Sequence, residues 1–284
     1  FATVSKVHDG SLIHVLAAAN RDKLEPYTWW FPVVGKVPYK GFFDKKEARE
    51  AATSLEEDGY DTYVRSALAF STLGWFDDPL PSVLLEREAV TLAQVVFHEL
   101  FHRTLFVSGE MSFNESAANF AGDRAAIEFF CAEGSTRTAE CREATADWKD
   151  TLTVSRFFDA ALAGLAEFYE TEPDEAELER GRVREFAAIR ERFKSLDLRG
   201  RYANFLSGTL NNASLLETRM YYRDLDLFDE LYRVRGSIRE SIRALKEGLD
   251  EAGGDDPFDG LREALKAGKL EVAQAESAFS GSPR

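Results

Sequence analysis

The chain has 284 residues, 44% of them hydrophobic, which is enough for a substantial core in one large domain or two close-packed subdomains. Its 35 basic and 50 acidic residues give a net charge of −15, which disfavours nucleic acid and anionic membrane surfaces as partners. No run of about 18 apolar residues occurs, so we expect no membrane-spanning segment.

The chain begins with a segment, 1–23, that is predicted to be helical. Its apolar positions are Val4, Val7, Leu12, Val15 and Leu16. His8 and His14 lie in this segment and are interpreted as structural residues rather than ligands.

Short strands around a turn are predicted at 29–37 and 39–43, where aromatic and β-branched residues accompany Pro and Gly. The following segment, 45–58, is predicted to be a helix, because Asp44 is a suitable N-cap and Gly59 a suitable end. This segment therefore joins the strands before it to whatever strand follows.

A further strand is predicted at 60–71 from its β-branched and aromatic residues, and the chain looks nearly all helical from Glu86 onward. Residues 253–257 interrupt this helical pattern with Gly and Pro. The predicted fold class is α+β, with a small α/β sheet unit followed by a mostly helical region. We expect one domain, 1–284, divided into 1–85, 86–276 and a frayed tail, 277–284.

The most informative motif is the pentapeptide His98-Glu99-Leu100-Phe101-His102. Histidines four positions apart lie on one face of a helix and can present two imidazole nitrogens to one zinc ion. Glu99 is then placed to act on a water bound to that metal. The alternative is a pair of core histidines bonded to carbonyl groups, with Glu99 at a surface edge.

A second segment, 113–118, contains Asn114 and Glu115 after a turn at 108–110. Asn114 is predicted to cap a new helix, with Glu115 in its first turn. The small residues that follow would let this helix pack closely on the first and bring Glu115 to the metal. The alternative is an ordinary first-turn glutamate. Asn119 is a possible partner that orients a ligand.

Taken together, these motifs and several blocks resemble a family, the predicted aminopeptidases of bacteria, which are zincin metallopeptidases with a glutamate as third ligand. The resemblance covers residues 24–231. Besides the pentapeptide and 113–115, it rests on the blocks 25–35, 39–44, 70–79 and 211–213.

The resemblance implies a zincin-like catalytic domain that binds one zinc ion through His98, His102 and Glu115, with Glu99 as general base. It also implies a tyrosine that stabilises the oxyanion, Tyr221 in first place and Tyr222 in second. Either tyrosine could instead be core packing. Further residues, Asn211 and Asn212, could bind the peptide backbone or cap a helix.

An aminopeptidase must recognise a free α-ammonium group, for which a carboxylate near the metal is suited. Asp77 and Asp78 are candidates for this role, although they could simply be turn residues before Pro79. In zincins a sheet edge near the metal commonly holds the substrate in extended form. Residues 63–70 are the candidate for that edge.

Three functions follow from these expectations. The first is a zinc-dependent aminopeptidase with a peptide substrate, in which metal-activated water attacks the scissile carbonyl. The second is a zinc endopeptidase, and the third a zinc-bearing binding or scaffold protein without turnover. The sequence leaves the side-chain preference and the oligomeric state open.

Two cysteines, Cys131 and Cys141, could form a disulfide in an oxidising compartment or remain free thiols. The chain opens at Phe1 rather than Met, from which we expect a processed or trimmed N-terminus. Relatives in the resembled family often carry an export or lipid-attachment signal upstream. The expected location is therefore the bacterial cell envelope or periplasm, with the cytoplasm as the alternative.

Overall fold

The structure is a computed structural model, which describes residues 4–5, 13–32, 35–67, 80–132, 138–199, 202, 205–253 and 256–280. It is a mixed α/β protein that is mostly helical, with small sheets near the N-terminus. This agrees with the predicted α+β class and with the position of the sheet unit ahead of the helical region.

A three-stranded antiparallel sheet lies at the centre of the N-terminal part, in the strand order β5-β2-β6. Strand β2 spans Ile13–Ala19, β5 Tyr39–Phe42 and β6 Asp61–Ala67. The middle strand is almost wholly buried. Strand β6 is an edge of the sheet, since β2 is the one strand that pairs with it in the described part of the chain.

The prediction of a helix over 1–23 is wrong for its second half, which forms strand β2. This strand is a continuous apolar run, because the sheet is covered by helices and both of its faces are buried. Such a run cannot be distinguished from a buried helix by periodicity alone. His14 contacts Ser66 on β6, Nδ1 to Oγ 3.4 Å, whereas His8 lies outside the described residues.

The predicted short strands exist, but they do not form one hairpin. Strand β3, Trp29–Phe31, pairs antiparallel with β4, Gly35–Val37. Strand β5 instead pairs with β2. The two-residue strands β1, Val4–Ser5, and β7, Leu80–Pro81, pair in parallel.

The predicted helix after β5 is confirmed as α1, Lys45–Glu57. The Asp44 carboxylate accepts hydrogen bonds from the main-chain N–H groups of Lys46 and Glu47, which satisfies donors that the first turn leaves unpaired. Gly59 has a φ of 88°, a left-handed conformation that suits glycine at a helix end. The helix joins β5 to β6.

The helical body follows a short 3₁₀ helix, Ser82–Leu84. Its helices are α2 Ala89–His102, α3 Met111–Phe130, α4 Ala139–Glu170, α5 Glu175–Lys194, α6 Asn212–Arg219, α7 Leu225–Arg235, α8 Ile238–Ala252 and α9 Pro257–Ser280. The predicted break falls between α8 and α9, as expected. The last helix extends into the stretch predicted to fray, and 281–284 lie outside the described residues.

The core of the body is aromatic, built from Phe113, Phe120 and Phe228 among others. Cys131, at the end of α3, is joined to Cys141, in the first turn of α4, by a disulfide with a Cα–Cα distance of 4.9 Å. Of the two alternatives that the sequence left open, the structure has the disulfide. Within the described residues, no helix is long and apolar enough to cross a membrane.

Candidate metal centre

Helix α2 brings the two histidines of the pentapeptide together in its last two turns. His98 and His102 lie one turn apart, with their Nε2 atoms 3.2 Å from each other and their ring centres 4.9 Å apart. His102 is buried. The spacing in the sequence therefore produces the shared face that was predicted.

Helix α3 supplies Glu115, but this helix begins earlier than predicted, at Met111. Asn114 is therefore inside the helix and not its cap. Its amide makes two hydrogen bonds with the main chain of Val107, Val107 N to Oδ1 at 2.8 Å and Nδ2 to Val107 O at 2.7 Å. Asn114 thus fixes the loop between α2 and α3, and Glu115 lies in the second turn.

The Glu115 carboxylate lies against both histidines. Its Oε2 atom is 3.2 Å from Nε2 of His98 and 3.7 Å from Nε2 of His102. These three atoms form a group that could hold a metal ion among the described residues. Two ligands at ~2.0–2.2 Å from a tetrahedral zinc are about 3.3–3.6 Å apart, so the group has the size of such a site.

Close packing of α3 on α2 sets this geometry. Gly122 lies so near α2 that an added Cβ atom would be 2.6 Å from the Gln94 carbonyl oxygen and 3.2 Å from Cβ of His98. Ala117, Ala118 and Ala121 are also buried. Small side chains thus let the two helix backbones approach until Glu115 reaches the histidines.

The three groups influence one another's protonation. Burial lowers the pKa of His98, but the hydrogen bond and charge of Glu115 raise it more, and the net pKa is raised. Burial raises the pKa of Glu115, and the two histidines more than offset this, leaving it far below its usual range. The anionic carboxylate therefore favours positive charge at this cluster, which a proton on His98 supplies and which a bound cation would supply in its place.

The charge of Glu99 acts on the same group, since it contributes to raising the pKa of His98 and of Tyr39. It is half-buried in α2, between the two histidines in sequence. The predicted general base is therefore close to the candidate metal donors.

Tyr221 is the predicted tyrosine that lies at the cluster. Its ring stacks on His98, with centres 6.3 Å apart and planes inclined by 26°. Its main-chain carbonyl accepts a hydrogen bond from Asn119 Nδ2 at 2.8 Å. Asn119 therefore holds the tyrosine and was predicted in a different role, as a partner of a ligand. Tyr222 is buried in the aromatic core instead.

Three residues near the cluster were not identified from the sequence. Arg65 of β6 donates to the Tyr221 hydroxyl, Nη2 to Oη 3.0 Å, and its Nε forms a close ion pair with Glu217 of α6. Tyr39 of β5 packs against the same small buried cluster as Tyr221, and burial together with the charge of Glu115 raises its pKa well above the usual range. Their distance from the pentapeptide in the sequence left no local signal.

The asparagines of the predicted substrate site have structural contacts. Asn211 caps α6 by accepting from Ser214 N at 3.0 Å, and its Nδ2 donates to Thr62 O at 2.9 Å. Asn212 is fully buried, with Nδ2 2.8 Å from Asn20 O and its main-chain N–H bonded to Asp61. The capping alternative thus describes Asn211, and these hydrogen bonds join both residues to other parts of the fold rather than to the cluster. The other candidates, Asp77 and Asp78, lie outside the described residues.

The sheet and the helical body define a mixed α/β protein with a candidate metal centre on its α2–α3 pair. The chain belongs to the family described as "Putative aminopeptidase", whose model matches residues 1–251. That description indicates a peptidase with peptide substrates. None of the curated proteins or solved structures compared with the chain matches it.

Proposed function

We propose that the protein is a zinc-dependent aminopeptidase of the zincin type, which binds one zinc ion. The observation that supports this most directly is the convergence of His98 Nε2, His102 Nε2 and Glu115 Oε2 within 3.2–3.7 Å. Two imidazoles and a carboxylate are a common donor set of catalytic zinc, which leaves a fourth position open. When bound, zinc would activate a water molecule and polarise the scissile carbonyl.

The chain's own residues then have separate tasks. Glu99 accepts the proton of the attacking water and returns it to the leaving amine. Tyr221 donates its hydroxyl hydrogen to the carbonyl oxygen as negative charge develops there. Its stacking on His98 supports this role, because the hydroxyl-bearing ring is held at the donor cluster.

We propose that the substrate is a peptide bound in extended form along the edge of the sheet. Strand β6 is unpaired on one side within the described region, and it carries Arg65, which contacts Tyr221. The carbonyl of Thr62 at this edge already accepts from Asn211, so an added strand would form its main-chain hydrogen bonds with 63–67. Asp77 or Asp78 is the proposed partner of the free α-ammonium group.

Hydrolysis of aminoacyl chromogenic substrates tests the proposal. The wild-type protein with zinc should release the chromophore, and Glu99→Gln should lose about 100-fold or more in kcat while still binding zinc. Glu110→Gln, a carboxylate variant at the start of α3, is the matched control and should retain activity. Equal rates for the wild type and Glu99→Gln would overturn the mechanism.

Blocked peptides separate an aminopeptidase from an endopeptidase. An aminopeptidase should leave N-acetylated peptides intact, whereas an endopeptidase should cleave them internally. Bound zinc without hydrolysis across a broad peptide library would favour the third possibility, a binding or scaffold protein.

We also propose that the protein works in the bacterial cell envelope or periplasm. The disulfide between Cys131 and Cys141 supports this, because such bonds persist in oxidising compartments. Alkylation of whole cells under denaturing conditions should find both thiols blocked. Two free thiols would instead indicate the cytoplasm.

A further inference from the structure

Arg65 connects the sheet edge with the candidate site. It lies in β6, and its side chain is 27% exposed. It donates through Nη2 to the Tyr221 hydroxyl and through Nε to Glu217. One guanidinium group therefore contacts two groups. One is the Tyr221 oxygen, which is proposed to stabilise the oxyanion, and the other is the Glu217 carboxylate on a helix of the body.

The direction of the bond to Tyr221 is fixed by chemistry. An arginine side chain has only donors, so the phenolic oxygen must be the acceptor. The hydroxyl hydrogen of Tyr221 is then free to donate elsewhere, and the guanidinium fixes the phenolic oxygen in place. A neutral partner such as an amide could accept that hydrogen instead, which would withdraw it from a substrate.

The rest of Tyr221 is held as well. Asn119 binds its carbonyl oxygen at 2.8 Å, and Ser116 binds the preceding carbonyl, of Met220, at 3.0 Å. Both anchors belong to α3, the helix that carries Glu115. The main chain and ring are thus positioned by the metal-side helices, and the hydroxyl is positioned from the sheet by Arg65.

Glu217 holds Arg65 in its turn. Its side chain is 5% exposed, and a buried carboxylate of this kind needs a charged partner. The ion pair fixes one edge of the planar guanidinium, which leaves the Nη2 donor directed at Tyr221. Glu217 therefore acts through Arg65.

We propose that Arg65, held by Glu217, is a positioning residue that presents the hydroxyl of Tyr221 as a hydrogen-bond donor to the carbonyl oxygen of the substrate. This inference rests on the proposed peptidase function and adds a residue to it. Arg65 is not proposed to touch the substrate. Its whole effect should therefore pass through Tyr221.

A double-mutant cycle measures that dependence. Tyr221→Phe should lower kcat about 100-fold, and Arg65→Met about tenfold or more, with KM changed less than about threefold. The kcat of the double variant should be within about threefold of the kcat of Tyr221→Phe alone. Multiplied effects, or a raised KM with unchanged kcat, would show that Arg65 acts on the substrate or on the fold and would overturn the proposal.

Two further variants distinguish a loss of kcat from a loss of the fold. Arg65→Met leaves Glu217 buried and unpaired, so Arg65→Met combined with Glu217→Gln removes both charges and should keep the fold while kcat remains low. Arg65→Lys should recover part of kcat, because an ammonium group can still donate to Tyr221. Full activity of the charge-free pair would refute the role of Arg65.

Arg124→Met is the matched control. Arg124 is also a largely buried arginine, 15% exposed, that pairs with a carboxylate, Asp229, and contacts an aromatic ring, that of Tyr232. It faces the body of the protein at the far part of α3. Its replacement should change stability but leave kcat of the folded protein unchanged.

Calorimetric binding of a phosphinic pseudopeptide, which mimics the attacked carbonyl, gives a readout apart from turnover. Tyr221→Phe should weaken binding the more and Arg65→Met the less, and the two factors should not multiply in the double variant. If the wild type hydrolyses peptides but the effects of the two substitutions multiply, only the role of Arg65 is refuted. If the pseudopeptide binds and the effects do not multiply, but no peptide is hydrolysed, only the peptidase function is refuted. If the protein neither hydrolyses peptides nor binds the pseudopeptide, both proposals are refuted.

Discussion

The α2–α3 helix pair and the junction between the sheet and the helices are held together by different forces. The helix pair is joined through small apolar residues, with Gly122 in contact with the α2 backbone. The junction is joined by buried charges, above all Arg182 of α5, which binds both carboxylate oxygens of Asp61 at 2.6 and 2.8 Å.

This difference determines what each region tolerates. Packing fixes the distance between the donor atoms of the candidate metal centre, so that region should be sensitive to side-chain volume. Charged hydrogen bonds fix the orientation of β6, which carries Arg65, so the junction should be sensitive to loss of charge. Substitutions in each region should therefore have separable effects on stability and on metal affinity.

The largest expected effect on stability comes from Arg182→Met in the junction. Arg182 is 5% exposed, and its removal leaves Asp61 buried without its cation, at a cost of about 3–5 kcal/mol. Urea unfolding should show this loss, while zinc titration of the folded variant should give the wild-type affinity. Arg156→Met, which breaks an exposed pair with Asp226, should cost less than about 1 kcal/mol. A parallel fall in zinc affinity would mean that the two regions are not separable.

Glu115→Gln should have the converse effect. The variant keeps the shape of the side chain but removes its charge, and zinc affinity should fall by about 100-fold or more, since even groups that only orient a ligand are worth ~10–100-fold. Competition with a chromogenic chelator measures the change. An unchanged affinity would remove Glu115 from the proposed ligand set.

Loss of the disulfide should weaken the far end of α3 without reaching the cluster. Replacing Cys131 and Cys141 by serine should cost about 2–3 kcal/mol, from the short loop that the bond closes. The wild type in reducing agent should match this variant in urea unfolding, and both should bind zinc as the oxidised protein does. Weaker zinc binding would show that the two ends of α3 are coupled.

The smallest expected effect comes from Gly122→Ala, and here the sign of the change in the free energy of unfolding is informative. A new Cβ atom 2.6 Å from the Gln94 carbonyl oxygen must push α3 from α2, at a cost of about 1–3 kcal/mol and with weaker zinc binding. Gly164→Ala, in α4 with no atom within 4 Å of the added Cβ, should stabilise by about 0.5–1 kcal/mol. The same sign at both positions would contradict close packing as the basis of the donor geometry.

The sequence predicted the elements whose causes are local. His98 and His102 lie together because one helical turn separates them, and the Asp44 cap and the disulfide involve neighbours along the chain. The prediction of Asn114 as a helix cap was wrong because its side chain bonds to the main chain of Val107 in the preceding loop. A local preference for a cap could not show that alternative.

Residues that meet across the fold were the ones missed. Arg65 and Glu217 are 152 positions apart, and a lone arginine in a strand carries no signal of its partner. Strand β2 was misassigned because burial on both faces removed the alternation that marks a strand. In each case tertiary contacts decided the outcome, and a single sequence does not contain them in readable form.

The position of these residues along the chain also bears on the order in which the site is assembled during synthesis. The donors His98, His102 and Glu115 lie on adjacent helices and meet by closing one short loop, whereas Arg65 and Tyr221 are 156 positions apart and must close a much longer one. The donor cluster is complete in sequence before the segment with Tyr221 has been translated. The proposed zinc site can therefore form before Tyr221 reaches it, and the proposed catalytic site is complete only when the sheet closes against α6.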